Sequence, residues 1–158
     1  MGMTGMEAAL TAVESTLSSN MSAKITALNA EYGDGIACSN ITTYEWYKKN
    51  FAAQDYPVCV LDAVQSLPEE QYIGAISEKH GVIVFVAETG SDAENLIKKI
   101  MRYARAVREI LISNHTLGGV SHSVGIVRTE YSPTFTDKER KYLKAVAIEI
   151  EVYKEEVV

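Results

Sequence analysis

Two of the chain's three histidines, His115 and His122, lie in the stretch NHTLGGVSHS, where Ser121 and Ser123 flank the second. A histidine within reach of a serine can take its hydroxyl proton and leave a nucleophile. The spacing here argues against that chemistry. Adjacent residues on a strand point to opposite faces, so His122 is placed to activate neither serine. The chain contains no GxSxG elbow, the turn that exposes a catalytic serine in many hydrolases. As metal ligands, the two histidines have no cysteine beside them, and their spacing fits no zinc pattern. His80 reads as a polar residue at a turn ahead of a strand.

Anion binding and acid–base chemistry fare no better. TGSDAEN, Thr89–Asn95, opens a helix, and a helix N-terminus attracts anions. Asp92 and Glu94 already occupy that positive end. GDG at Gly33–Gly35 is a turn, and the acidic pairs Glu69–Glu70 and Glu155–Glu156 read as solvated charge. No catalytic, cofactor-binding or metal-binding constellation emerges, and the expectation is a protein that is not an enzyme. Asn114, His115, Gly118 and Gly119 read instead as the joint between a helix and a strand. Asn and His can end a helix, and the glycine pair permits backbone angles that other residues resist.

The elements around that joint follow from hydrophobic rhythm. Leu10, Val13, Leu17, Met21, Ile25 and Leu28 recur at steps of three or four and predict one long amphipathic helix stopped near Gly33. Tyr44, Trp46, Tyr47 and Phe51 suggest a short helix or turn that plugs one edge of the core. PVCVLDAVQ reads as a strand, SLPEE as a loop, Tyr72–Ser77 as a second strand and Val82–Glu88 as a central one, apolar on both faces. Ser91 and Glu94 fit a capping box for a second helix. Ile97, Ile100, Met101, Ala104, Val107 and Leu111 form its expected inward face, with Lys98, Lys99, Arg102, Arg105 and Arg108 outward. Two closing strands, GVSHSVGIVRTEYS and RKYLKAVAIEIEVYKEE, are joined by PTFTD. The second alternates, with Tyr142, Lys144, Val146, Ile148, Ile150 and Val152 on one side and Glu149, Glu151 and Tyr153 on the other. The expected fold is α+β, one mainly antiparallel sheet packed against a long N-terminal helix and a central amphipathic helix, in the order α-β-β-(β)-α-β-β.

The totals agree with that scale. With 158 residues, 47% hydrophobic and 23% charged, residues 1–158 make one globular domain, with 1–5 expected as a flexible N-terminus. No apolar run approaches the roughly 20 residues of a membrane span. MGMTGMEAAL lacks the basic and apolar regions of an export signal, so assembly in a cytoplasm is expected. Cys38 and Cys59 are expected as reduced, partly buried thiols. The net charge of −6 opposes general binding to a phosphate backbone, yet does not exclude a protein that lets DNA pass without holding it.

YP ahead of a β-branched strand, the helix IKKIMRYARAVREIL, then NHTLGG, VRTEYSP and the closing strand YLKAVAIEIEVY together resemble one group. It is the tail-terminator, or tail-completion, proteins of long-tailed bacteriophages and phage-tail-like particles, and the likeness spans roughly Tyr56 to Tyr153. The resemblance implies a structural virion protein, assembled in the host bacterial cytoplasm, that forms a homo-oligomeric, typically sixfold ring. The ring would cap the head-proximal end of the tail tube, stop its polymerisation and meet a neck or head-connector protein. A sheath would be a neighbour in a contractile tail, and DNA would pass through the lumen without specific binding.

Under that reading Arg102, Arg105, Arg108, Glu149, Glu151 and Tyr153 are candidates for the subunit or tail interface. Glu149 and Glu151 would face either the lumen or a neighbour's basic helix, and the long terminal strand would donate an edge to the next subunit. The alternatives are another head–tail joining ring, or a small dimeric enzyme or ligand-binding domain with Tyr103, His115 and His122 as its polar groups.

Overall fold

The six apolar residues of the first stripe all point to one side of α1, Met6–Tyr32, and all are buried in the computed structural model, which describes residues 5–46, 51–72, 75–136 and 141–157. Residues 1–4, and with them most of the expected N-terminal tail, lie outside those residues. Gly33 ends the helix in the left-handed region at φ 54°, and its N–H closes on the Asn29 carbonyl at 3.0 Å. A side chain there would meet its own backbone, which explains the glycine.

The aromatic stretch differs from expectation. Thr43–Glu45 is a short strand, β1, parallel to the start of β2, and the helical piece described there is a 3-10 turn at Ala53–Asp55. Strand pairing gives these backbone groups partners at the sheet edge, which an isolated short helix could not. Tyr47 falls outside the described residues.

β2, Val58–Tyr72, runs straight through SLPEE, which is therefore not a loop. Register shifts at Ala63/Gln65 and Pro68/Gln71 absorb the irregular residues. Among the described residues that part of β2 has no strand on its outer side, and an edge strand with a register shift is where a proline such as Pro68 is tolerated. Of the expected strand Tyr72–Ser77, Tyr72 ends β2 and pairs with Ala75, while Ala75–Ser77 belongs with the expected Val82–Glu88 strand to one strand, β3, Ala75–Gly90, and His80 lies inside it rather than at a turn. Its pairing with β6, Tyr142–Val157, continues unbroken past His80, which removes the need for a turn.

α2 spans Ala93–Ser113 and is capped one residue later than the sequence suggests. The Asp92 carboxylate accepts the Asn95 N–H at 2.9 Å, in place of a Ser91/Glu94 box. Its buried stripe is also rotated. Leu96, Ile100, Tyr103, Ala104, Val107, Ile110 and Leu111 face inward, whereas Ile97 is 38% and Met101 53% exposed. The reason is that α2 packs against both the sheet and α1, so a second face, with Arg102 and Ala106, is buried as well.

β4, Ser123–Tyr131, and β5, Phe135–Thr136, both pair antiparallel to β6. The sheet order is β1-β2-β3-β6-β4, with β5 also on β6, and every pairing except β1–β2 is antiparallel. The α+β class and the single helix-packed sheet match the sequence reading. β6, however, lies between β3 and β4. It is a central strand and not the free edge expected from its terminal position. Its apolar alternation buries Val146, Ile148, Ile150 and Val152 completely, against Val82, Val84 and Val86 of β3 and Cys59 and Leu61 of β2. Each such aliphatic side chain stabilises the fold by about 1.5–3 kcal/mol. Both helices contribute to this core and cover one sheet face, and among the described residues no helix covers the other, bare face.

Candidate functional site

Period-two alternation sorts the sheet residues between the two faces. Registered rows place Asp62, Lys79, Ile83, Phe85, Ala147, Glu149, Glu151, Arg128 and Glu130 on the bare face. Glu149 accepts from Arg128 at 2.8 Å, and Lys79 lies 3.7 Å from Glu151. Acids outnumber bases among these groups, and a half-buried apolar strip of Ile83, Phe85 and Ala147 runs beside them.

The two sheet edges are the other feature. β4 pairs only with β6, and β2 beyond Val60 pairs only with β3, so among the described residues both outer sides lack a strand. Each edge strand carries a bulge. On β2 the register slips at Val64, on β4 at Val127, and the two valines are 47% and 49% exposed. Bulges at edges twist the backbone away from casual pairing. They flank a single row, Ala63–Val82–Ile150–Ile126, that crosses all four strands.

Two of the three arginines expected at an interface, Arg102 and Arg105, are engaged within the chain. Arg102 is only 5% exposed, and its guanidinium donates to both Asp34 oxygens and to the Ile36 carbonyl while lying 3.9 Å from the Tyr32 ring centre. A charge held this far from water needs those partners, and α1's C-terminal loop supplies them. The same guanidinium, donating to Asp34, holds that carboxyl down at about 2, helped by the Ile36 N–H. Arg105 donates to Glu31, to the Tyr32 hydroxyl at 3.2 Å and to Glu109 at 3.1 Å. Both arginines bind α2 to α1 within one chain. Arg108 is half-buried and has no ion pair among the described residues.

Tyr153 donates its hydroxyl to Glu155 at 2.7 Å and packs its ring beside His122. His122 Nδ1 accepts the Glu155 N–H at 2.8 Å, and Ser121 donates to the His115 carbonyl at 2.8 Å, so these groups knit the joint to β6. Asn114 caps α2, with backbone and side-chain N–H groups both on the Ile110 carbonyl. Gly118 and Gly119 take φ 69° and 96°, as a helix-to-strand joint requires. Leu117, also at positive φ, is buried and anchors the turn.

One constellation escaped the sequence reading. Ser66 faces His80 across the β2–β3 ladder, with Oγ 2.7 Å from Nδ1, and Glu78 lies two residues from His80 on the same face. The pairing depends on the β2 bulges, which no local pattern announced. The only local hint was the i, i+2 spacing of Glu78 and His80. Cys38 and Cys59 are free and buried, as expected of reduced thiols. Among the described residues no helix is long and apolar enough to cross a membrane. No protein-family model matches the chain, and no curated protein matches it.

Proposed function

We propose that this protein is a ring-forming tail terminator that caps the head-proximal end of a phage or phage-tail-like tube. The observation that carries the reading is the pair of open edges and their polarity. β2–β3, β3–β6 and β6–β4 are each antiparallel, so β4 runs opposite to β2. A second copy related by rotation alone can lay its β2 edge beside β4 in ordinary antiparallel pairing. The contact is head-to-tail and repeats, and such contacts form a ring where the rotation from copy to copy closes.

The one-sided helix layer supports an orientation. A helix with its side chains is about 10–12 Å thick, and material on the inside of a closed sheet has less room than material outside. The helices therefore belong outside and the bare face inside. In this reading Glu149 and Glu151 face the lumen, where an acid-rich lining would let DNA slide past without capture. The alternative contact, with a neighbour's basic helix, keeps only Arg108 of its three arginines, because Arg102 and Arg105 are engaged within their own chain. The partners in this reading are further copies of the chain, the tube protein, a neck protein and, in a contractile tail, the sheath.

Native mass spectrometry over a concentration series, with negative-stain images of the same sample, tests the proposal. A sixfold species with an open centre is the expected result, formed either by the free protein or on addition of purified tube ends. A stable dimer that neither forms rings nor caps tubes overturns it.

A further inference from the structure

We propose that His122 is a proton-operated latch, a device independent of assembly. Its neutral imidazole ties the joint before β4 to the end of β6, and protonation of the imidazole releases that tie. His122 is exposed and immediately precedes β4. Its own N–H donates to the Tyr153 carbonyl at 2.8 Å, and the next residue, Ser123, is registered opposite Tyr153. The pairing of β4 with β6 begins there. Backbone groups on one side of an antiparallel strand recur every second residue, so the Glu155 N–H points the same way as the Tyr153 carbonyl. It meets an imidazole instead of a strand, for His122 Nδ1 accepts it at 2.8 Å. The side chain stands where a longer β4 would have offered a carbonyl.

The backbone donor fixes the state of the imidazole. An amide N–H can only donate, so Nδ1 carries a bare lone pair and the neutral imidazole holds its hydrogen at Nε2. A second proton can go only to Nδ1, where it turns the acceptor into a donor aimed at another donor. The bond to Glu155 cannot survive that change. His115 is built the opposite way. Its Nδ1 lies 3.3 Å from the His122 carbonyl, which only accepts, so Nδ1 donates there whether the imidazole is neutral or charged. One histidine of the joint is indifferent to a proton, and the other is not.

The groups around His122 come from the joint, β6 and β3. On β6, the Glu155 carboxylate accepts from the Tyr153 hydroxyl at 2.7 Å, and Lys154 donates to the Gly119 carbonyl at 3.4 Å. On β3, Lys79 is registered opposite Tyr153 and lies 3.7 Å from Glu151. The Glu155 carboxylate is the acceptor to which a charged imidazole turns, so the proton shifts His122 from the amide of Glu155 to its side chain. The joint stays folded, because Leu117 is buried and Ser121 donates to the His115 carbonyl at 2.8 Å without using the His122 imidazole. What opens is the β4 side of β6 beyond Tyr153.

The test is a heteronuclear NMR titration of the full chain from about pH 8 to about pH 5, the range in which imidazole ordinarily changes charge. At the alkaline end His122 is expected to carry hydrogen on Nε2 alone. On acidification the Glu155 amide is expected to lose its hydrogen-bonded shift in step with the charging of His122. Its protection from exchange, corrected for the intrinsic rate at each pH, should fall about tenfold, the worth of one hydrogen bond. His122→Asn, whose amide does not titrate, should leave the Glu155 amide unresponsive, while His115→Ala should leave the wild-type response in place. A Glu155 amide that stays still as His122 charges, or that moves equally in His122→Asn, overturns the proposal. Hydrogen on Nδ1 of the neutral imidazole does so as well. The wild-type titration needs no substitution, so a variant that fails to fold leaves the test intact.

Discussion

Arg102 of α2 and Asp34 of the loop after α1 meet at 2.5 Å, and the arginine is almost wholly out of water while the aspartate is one-third exposed. The pair, with the Ile36 carbonyl and the Tyr32 ring, fixes the end of α1 against the middle of α2. Arg102→Ala removes all three contacts and leaves the Ile36 carbonyl short of a donor. It is expected to lower the thermal midpoint more than any other truncation on the basic side of α2. Arg108→Ala, with no ion pair to lose, is expected to change stability by no more than about 0.5 kcal/mol. Thermal denaturation of the two variants side by side checks the ranking.

The same pair predicts an acid response. Asp34 sits at about 2 in the folded chain, below its ordinary value of 3.8, chiefly because Arg102 donates to it. A group depressed by folding contributes stability that is complete above its unfolded pKa and fades as pH falls through its folded one. The contribution is therefore lost between about pH 4 and pH 2. Acid unfolding of Asp34→Asn should show a shallower dependence on pH in that window than wild type. Equal slopes would mean that the pair is no better made in the folded state than in the unfolded one.

The centre of β6 carries the core. Ile148 is fully buried beside Val84, and Ile148→Ala is expected to cost about 2–5 kcal/mol, measured by urea unfolding. Amides of the β3–β6 ladder should be the last to exchange with deuterium, and those on the outer sides of β2 and β4 the first.

Head-to-tail pairing makes a prediction that symmetric pairing does not. Val64→Lys charges the β2 edge and Val127→Lys the β4 edge, and both sites are exposed in the single chain. Each variant alone should fold and fail to form rings. Mixed, each supplies the edge the other lacks, so one-to-one dimers that grow no further should appear by native mass spectrometry. If both variants still form rings, the edges are not the contact.

Both thiols should be silent in the native fold. Burial pushes Cys38 up to about 11 and Cys59 up to about 12, and neither is open to a reagent. A disulfide-exchange reagent at pH 8 should count no reactive thiol before denaturation and both afterwards.

The sequence made the fold legible wherever one periodicity ran long. The α1 stripe and the alternation from Tyr142 to Val152 both point to the face that is buried. Legibility failed where the deciding partner lay elsewhere in the chain. Pro68 looked like a loop because nothing local said that β2 had an open side. Arg102 looked solvated because its partner, Asp34, is distant in sequence and reaches it only through the packing of α1 on α2. β6 looked like an edge because it comes last, although the chain had already laid β3 and β4 on either side of it. The Ser66–His80 pairing depended on two bulges, and a slip of one residue would have put the two side chains on opposite faces.

The unbroken β3–β6 ladder, Ala75↔Val157 to Gly90↔Tyr142, gives the molecule a direction of strength. At about 3.3 Å per residue it is a spar roughly 50 Å long. Force applied along that spar loads its many hydrogen bonds together in shear, and none can yield without the rest. Force applied across a bulged edge peels bonds one after another, beginning at Val64 or Val127. A chain built this way resists stretching along its strands and bends at its margins.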